Sequence, residues 1–298
     1  MIDELNRKFG NRDDVQFALG QGNLPVCNIV TPIARAQVYL HGAHVSSFEP
    51  AGEKPVIYMS PRSKFDAASP IRGGVPICFP WFGPHEADTK LPAHGFARIQ
   101  PWQLTGICRE GDAVTLSLQL DSGDTSKKFW PFEFRAIYRV TVAAQMKLEL
   151  EVVNWSDRSF DFTEALHTYF CVSDVRNVSV SGLEKVKYND KVAGGLKDPA
   201  GAPIRFEGET DRVYMDTADT CVIHDPGMNR KIEVSKSGSK STVVWNPHVK
   251  KAVSLGDLGE DTWPNFCCVE TANALSNRVM LNAGEKHVMS QSIRVLRD

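Results

Sequence analysis

Three runs near the middle of the chain alternate apolar and polar residues with a period of two, and they follow one another too closely for anything but antiparallel neighbours. In Val114-Thr115-Leu116-Ser117-Leu118-Gln119-Leu120 every second side chain is apolar. Phe132, Phe134, Ala136, Tyr138, Val140 and Val142 then alternate with Glu133, Arg135, Arg139 and Thr141. After Ala143-Ala144-Gln145 a third run sets Leu148, Leu150 and Val152 against Lys147, Glu149 and Glu151. Such alternation turns one face of each strand to a core and the other to water. Parallel neighbours need crossover helices, for which these runs leave no room, so they form a meander.

The remaining chain reads in the same style. Shorter strands are expected at 26–30, 34–39, 159–167, 178–180, 220–224, 231–234, 242–245 and 288–296. Helical spacing is confined to Ile2, Leu5 and Phe9 and to a short stretch at 64–68. Seventeen prolines and 22 glycines punctuate the sequence at close intervals, as many short strands require. No linker, repeat or low-complexity block divides the 298 residues. The expectation is all-β: one large antiparallel β-sandwich over 1–298, a single domain with a few short helices.

Charge and cysteine usage exclude several classes of function. With 34 Lys+Arg against 36 Asp+Glu the formal charge is −2, which offers no sustained field for nucleic acid or an anionic membrane surface. No run of about 20 apolar residues can cross a bilayer. The start, Met1-Ile2-Asp3-Glu4-Leu5-Asn6-Arg7-Lys8, lacks the apolar stretch of a signal peptide. Seven cysteines without a C-x-x-C pair read as reduced thiols rather than a disulfide framework. A cytoplasmic protein is therefore expected.

One segment breaks the strand pattern. From Ser69 to Trp102 the chain carries six prolines and four glycines, too many for long ladders, yet it is too aromatic for a loose loop. It reads as a structured excursion walled by Phe79, Trp81, Phe82 and Phe96, with Arg72, Arg98, His85 and His94 among them. Aromatic walls with a few fixed polar groups suit a small polar ligand.

Metal, phosphate-loop and thiol chemistry find little support. His41 and His44, placed on a strand, point to opposite faces. His85 and His94 are separated by a charged loop, and no Cys/His cluster has zinc spacing, so no metal site is expected. Arg72-Gly73-Gly74 matches neither phosphate-binding glycine motif. Cys267 and Cys268 lie in an apolar run and read as buried, inert thiols. His167, in Ala165-Leu166-His167-Thr168-Tyr169-Phe170, and Glu270, in Cys267-Cys268-Val269-Glu270-Thr271-Ala272, are ionisable groups in apolar strand contexts. Each is either a satisfied strand-end residue or a group lining a wet cavity, because a buried carboxylate needs a partner or water.

Five motifs together carry a resemblance. R-G-G-V-P-I-C-F-P-W-F-G at 72–83, L-P-A-H-G-F-A-R at 91–98, A-L-H-T-Y-F at 165–170, T-D-R-V-Y at 210–214 and C-V-E-T-A at 268–272 resemble the glucose-6-phosphate 1-epimerases. These are the hexose-6-phosphate mutarotases of the aldose 1-epimerase superfamily. The motifs stand in the family's order and span roughly Ile33 to Ile293. The resemblance implies a galactose mutarotase-like supersandwich. It also implies an isomerase that interconverts the α and β anomers of glucose 6-phosphate by general acid/base ring opening.

Position by position, the resemblance makes His167 the general acid and Glu270 the general base. It makes Arg72 and Arg98 the holders of the sugar phosphate, Asp211 a carboxylate near the sugar hydroxyls, and His94 a second active-site histidine. Ala93 departs from the pattern, since some relatives carry a ligand-contacting Gln there. Phe82 and Trp81 are expected to pack on the apolar face of the pyranose. Histidine suits proton exchange near neutrality, and arginine's planar fork suits phosphate. No cofactor or metal is required. The expected partner is a small-molecule hexose 6-phosphate, with a monomer expected. Two other readings stand beside this one: an aldose 1-epimerase for unphosphorylated sugars, against which the two arginines argue, and a non-catalytic carbohydrate-binding β-sandwich, which would need the aromatics but neither His167 nor Glu270.

Overall fold

A computed structural model describes residues 1–10 and 14–297. Its largest sheet has nine strands, in the order Ile204–Arg205, Ser179–Ser181, Cys221–Asp225, Arg230–Ser237, Lys286–Leu296, Met146–Asn154, Phe134–Val142, Ala113–Asp121 and Gln103–Glu110. Met146–Asn154, Phe134–Val142 and Ala113–Asp121 are the expected meander, extended by the unexpected Gln103–Glu110 and paired antiparallel throughout. Its register follows the hydrophobic pattern: Leu118 lies opposite Tyr138, Tyr138 opposite Leu150, and Leu150 opposite Met289. All four side chains are fully buried. A one-residue slip would turn the whole row to solvent, so the alternation fixes register as well as strand identity.

A second sheet of eight strands carries the parts of the chain that matter for function. Its order is Leu196–Lys197, Tyr188–Asp190, Thr210–Met215, Ser241–Asn246, Phe266–Asn273, Glu164–Leu166 and Ile77–Cys78, with Tyr169–Cys171 also paired to Phe266–Asn273. One face of this sheet enters the main core through Leu166, Val244, Cys267 and Val269. The other face carries a smaller apolar patch of Cys78, Ala165, Val213, Val243 and Ala272, against which Phe82 packs. A third sheet, Val15–Leu19, Pro25–Val30, Ala34–Tyr39 and His44–Pro50, and a two-stranded one, Phe160–Phe162 with Val279–Leu281, stand beside them. The architecture is the all-β, antiparallel one expected, with short helices at Ile2–Phe9, Asp124–Lys127 and His248–Ser254.

Four local expectations need correction. Residues 64–68 form no helix: 64–66 are irregular, and a turn follows at Ala67 and Ala68, where the Asp66 side chain accepts the Ala68 N–H at 2.9 Å and closes an Asx turn. The strand expected at 159–167 is broken at Thr163, where the excursion docks: Thr163 Oγ1 accepts the Phe82 N–H and its own N–H reaches the Pro80 carbonyl. His167 lies just past the second piece. Phe79 and Phe96 are not pocket walls but fully buried core residues, Phe79 meeting Phe134, Phe162 and Trp130 edge-on. Only His44 is on a strand; His41 precedes it in a bridge to Pro101.

The excursion from 69 to 102 is folded back on itself by backbone contacts. Phe96 and Ala97 donate to the Phe79 carbonyl, and His94 donates to the Gly83 carbonyl. Gly95 makes this approach possible. Its φ is +73°, and a Cβ there would lie 2.0 Å from the Phe79 oxygen, so only glycine fits. The two ends of the excursion's tip are thereby pinned, with Phe82 and His94 facing the same space.

Candidate active site

Strand geometry alone places five side chains on one patch of the eight-stranded sheet. Asp211 lies opposite Trp245, Trp245 opposite Cys268, and Val243 opposite Glu270. Directly opposed residues share a face, as do residues two apart on a strand. Asp211, Val243, Trp245, Cys268 and Glu270 therefore point the same way. His167 reaches this face from the break between Glu164–Leu166 and Tyr169–Cys171, both paired antiparallel to Phe266–Asn273, its N–H donating to the Pro76 carbonyl and its ring stacked on Tyr169 at 4.9 Å and 10°.

Above the patch is a cavity of about 510 Å³. Seven of the residues singled out from the sequence line it: Arg72, Phe82, His94, Arg98, His167, Asp211 and Glu270. Ala93 lines it as well. Trp81 does not. Its ring meets His85 edge-on, its N–H donates to the Pro92 carbonyl, and its place as an aromatic wall is taken by Trp245. Lys191, Lys251 and Leu255 also line the cavity. Sequence reasoning passed over them because a lysine in a turn or on a short helix has no local signature.

At the centre, His167 Nδ1 and Glu270 Oε1 are 3.3 Å apart. The approach lacks hydrogen-bond alignment, and neither His167 Nδ1 nor Glu270 Oε2 has a hydrogen-bond partner, although both atoms are buried. His167 is 7% exposed and Glu270 1%. Burial holds the His167 imidazole well below its ordinary value, and the positive fields of Arg98 and Arg72 reinforce this. Burial, followed by the nearby Asp211, pushes the Glu270 carboxyl well above the usual carboxylate range. Both shifts favour a proton on the carboxyl and a neutral imidazole beside it. Opposed shifts within one cleft are the pattern of an acid–base pair.

The rim is cationic. Arg72 is fixed by Asp257, at 3.1 Å from its Nε, and by the Tyr169 hydroxyl, at 3.3 Å from its Nη1. Burial opposes the charge on Arg72, but these two partners outweigh it and keep the guanidinium firmly protonated. Arg98 is anchored by donation from Nη2 to the Ala93 carbonyl at 2.7 Å. Lys191 lies over the Phe82 ring, 4.5 Å from its centroid, and 3.7 Å from Asp211. His94 accepts the Gly83 N–H at Nδ1, 3.3 Å away, with the Cys78 thiol 3.4 Å from the same nitrogen. Its proton therefore sits on Nε2, and burial disfavours a second one.

These features define a class before they define a family. The fold is that of the galactose mutarotase-like proteins; it superposes on one from Clostridium acetobutylicum with a TM-score of 0.72 at 14% identity, covering 97% of this chain and 100% of that one. The chain belongs to the aldose 1-epimerase family, whose profile matches residues 28–294. It is 40% identical over 265 residues to the Escherichia coli K12 protein named "Putative glucose-6-phosphate 1-epimerase", covering 89% of this chain and 88% of that protein. The Salmonella typhimurium crystal structure described as "a putative mutarotase (YeaD)" superposes with a TM-score of 0.89 at 35% identity, over 96% of this chain and 94% of that one. Among the described residues no helix is long and apolar enough to cross a membrane.

Proposed function

We propose that the chain is a hexose-6-phosphate 1-epimerase that interconverts the α and β anomers of glucose 6-phosphate. The observation that carries this reading is the charge of the cavity. Arg72, Arg98, Lys191 and Lys251 line it, and their carboxylate neighbours are Asp211 and Asp257. His167 and Glu270 share one proton, so the pair is neutral overall wherever that proton rests. Two positive charges remain in a chain whose formal charge is −2. A phosphate monoester carries about −1.5 to −2 near neutral pH and balances them; an unphosphorylated sugar does not. The names borne by the relatives support the same substrate class.

Opening a pyranose requires a proton to leave the C1 hydroxyl while another reaches O5 as the C1–O5 bond breaks. Both oxygens are bonded to C1, so the groups that serve them stand side by side rather than across the ring, and the 3.3 Å approach of His167 to Glu270 suits that demand. Glu270 takes the O1 proton and His167 protonates O5. The aldehyde turns about C1–C2 to offer its other face. On reclosure O5 adds to C1, His167 recovers the O5 proton, and Glu270 returns its proton to O1. Only protons move, and both groups end as they began.

Substrate binding also prepares the pair. Glu270 must be the carboxylate and His167 the imidazolium, the reverse of what their burial favours. A phosphate dianion seated on Arg72 and Arg98 cancels the two charges that, after burial, most oppose protonation of His167. Phosphate thereby assists the chemistry as well as the binding. His94 donates from Nε2 to a sugar oxygen, Asp211 accepts from hydroxyls, and Phe82 and Trp245 pack on the ring.

Magnetisation exchange between the α and β anomers, measured by NMR on glucose 6-phosphate and on glucose, tests this reading. Charge-assisted hydrogen bonds contribute about 1.5–3 kcal/mol each, so kcat/KM should favour the phosphate ester by at least about tenfold. Equal acceleration of both sugars removes the phosphate argument, and acceleration of neither removes the catalytic one.

A further inference from the structure

We propose that Cys268, His167 and Glu270 form a binding site for a thiophilic divalent cation, zinc foremost, whose occupancy blocks the acid–base pair. The three donors come from two neighbouring segments. Cys268 and Glu270 are two apart on Phe266–Asn273 and share a face, and Tyr169, two residues beyond His167, lies opposite Cys268. Their ligand atoms all lie within 4.8 Å of one another, and all three residues are buried. In tetrahedral zinc sites, with bonds of about 2.0–2.3 Å, donor atoms sit roughly 3.3–3.7 Å apart. Contraction by about 1 Å converts the present arrangement into that geometry.

The donor chemistry selects the ion. One thiol, one imidazole and one carboxyl suit zinc, whereas hard cations such as magnesium and calcium require several oxygens. His167 Nδ1 and Glu270 Oε2 are buried with no hydrogen-bond partner, so neither has an existing hydrogen bond to give up on binding an ion. The cavity supplies the open fourth position for water. Arg72, Arg98 and Lys191 face the site and oppose a dication, which leaves the thiolate bond as the main source of affinity. Binding is balanced by release of two protons, one from the Cys268 thiol and one from the Glu270 carboxyl; nothing is oxidised or reduced. Sequence spacing gave no hint of the site, because its ligands are brought together only by strand pairing.

Binding itself stands apart from the epimerase reading; the inhibition rests on it. The test uses the full chain and the metals alone. Cobalt(II), titrated under anaerobic conditions, should produce a thiolate-to-cobalt charge-transfer band that is absent from Cys268→Ser and Cys268→Ala. Zinc should inhibit anomer exchange, a chelator should restore it, and the half-inhibiting concentration should rise in both variants. That rise should be at least the roughly 10–100-fold that loss of even an outer-shell partner causes. The uninhibited rate and the melting temperature of the two variants serve as fold controls. A cobalt spectrum without the thiolate band, or one unchanged in both variants, overturns the site whether or not the chain is an epimerase. Zinc inhibition of equal strength in parent and variants overturns the role of Cys268.

Discussion

Replacing Glu270 by Gln should destroy turnover and stabilise the protein, two effects with one cause. The carboxyl is 1% exposed, one of its oxygens has no hydrogen-bond partner, and Asp211 adds a like charge nearby. Its folded pKa is raised, so the sign follows directly. Below the ordinary carboxylate value of about 4.3 the buried group is protonated in both states and carries no penalty. As pH rises above that value the unfolded chain ionises first, and stability is lost progressively until the raised folded value is passed. The loss is at most about 1.4 kcal/mol per pH unit for one group. Gln keeps the shape and cannot ionise. E270Q should therefore match the parent near pH 4.5 and exceed it increasingly toward pH 8. A relief on the order of 1–3 kcal/mol, the range for a poorly satisfied buried polar group, corresponds to a rise in melting temperature of roughly 2–6 °C. Anomer exchange should meanwhile fall by about 10²–10⁴-fold, the usual contribution of a general base. Thermal melts across the pH series and NMR exchange on the same samples check both. A stability difference that stays flat with pH, or a variant that still turns over at the parent's rate, would refute the assignment of a strained, functional carboxyl.

Two further outcomes follow from other ionisable groups. Arg98→Ala should raise KM for glucose 6-phosphate by about 10–150-fold, from the loss of one charged hydrogen-bonding partner at about 1.5–3 kcal/mol, with kcat less affected; steady-state rates separate the two. On the far side of the sheet, His287 Nε2 lies 3.1 Å from the fully buried Glu164, which also accepts from Asn273 at 2.9 Å. Burial opposes protonation of His287, but the hydrogen bond and charge of Glu164 outweigh it and raise the imidazole. The stabilisation this gives is full below the unfolded value of about 6.5 and lost as pH rises through the raised folded value. His287→Gln should thus cost more stability at pH 6 than at pH 8.5 in chemical denaturation, and an equal cost at both would refute the pairing.

The sequence exposed those parts of the fold in which neighbours along the chain face one environment. The meander was legible because Leu118, Tyr138 and Leu150 sit in strictly alternating runs whose two faces differ in solvent. The stretch at 64–68 misled because the Asp66 side chain competes for a backbone N–H, which no count of apolar spacing detects. Phe79 and Phe96 were mistaken for pocket walls because aromatic content does not tell which side of a close-packed segment faces the core. His167 and Glu270 were individually suspect as ionisable residues among apolar ones. Their meeting at 3.3 Å depends on Phe266–Asn273 lying between the segments that carry Trp245 and Tyr169, a property of topology that local pattern does not encode. Lys191 and Trp245 were missed for the same reason.

The cavity has two kinds of wall. Glu270 and Asp211 stand on hydrogen-bonded strands, and His167 is clasped between two more. Arg72 comes from a bend, Arg98 from a single turn of tight helix, Lys191 from a turn and Lys251 from a short surface helix. Connecting segments tolerate exchange and insertion far better than central strands do. If the chain works as proposed, its descendants could accordingly swap the anionic tag they admit, or abandon it, by altering peripheral loops while the strand-borne floor passes on unchanged.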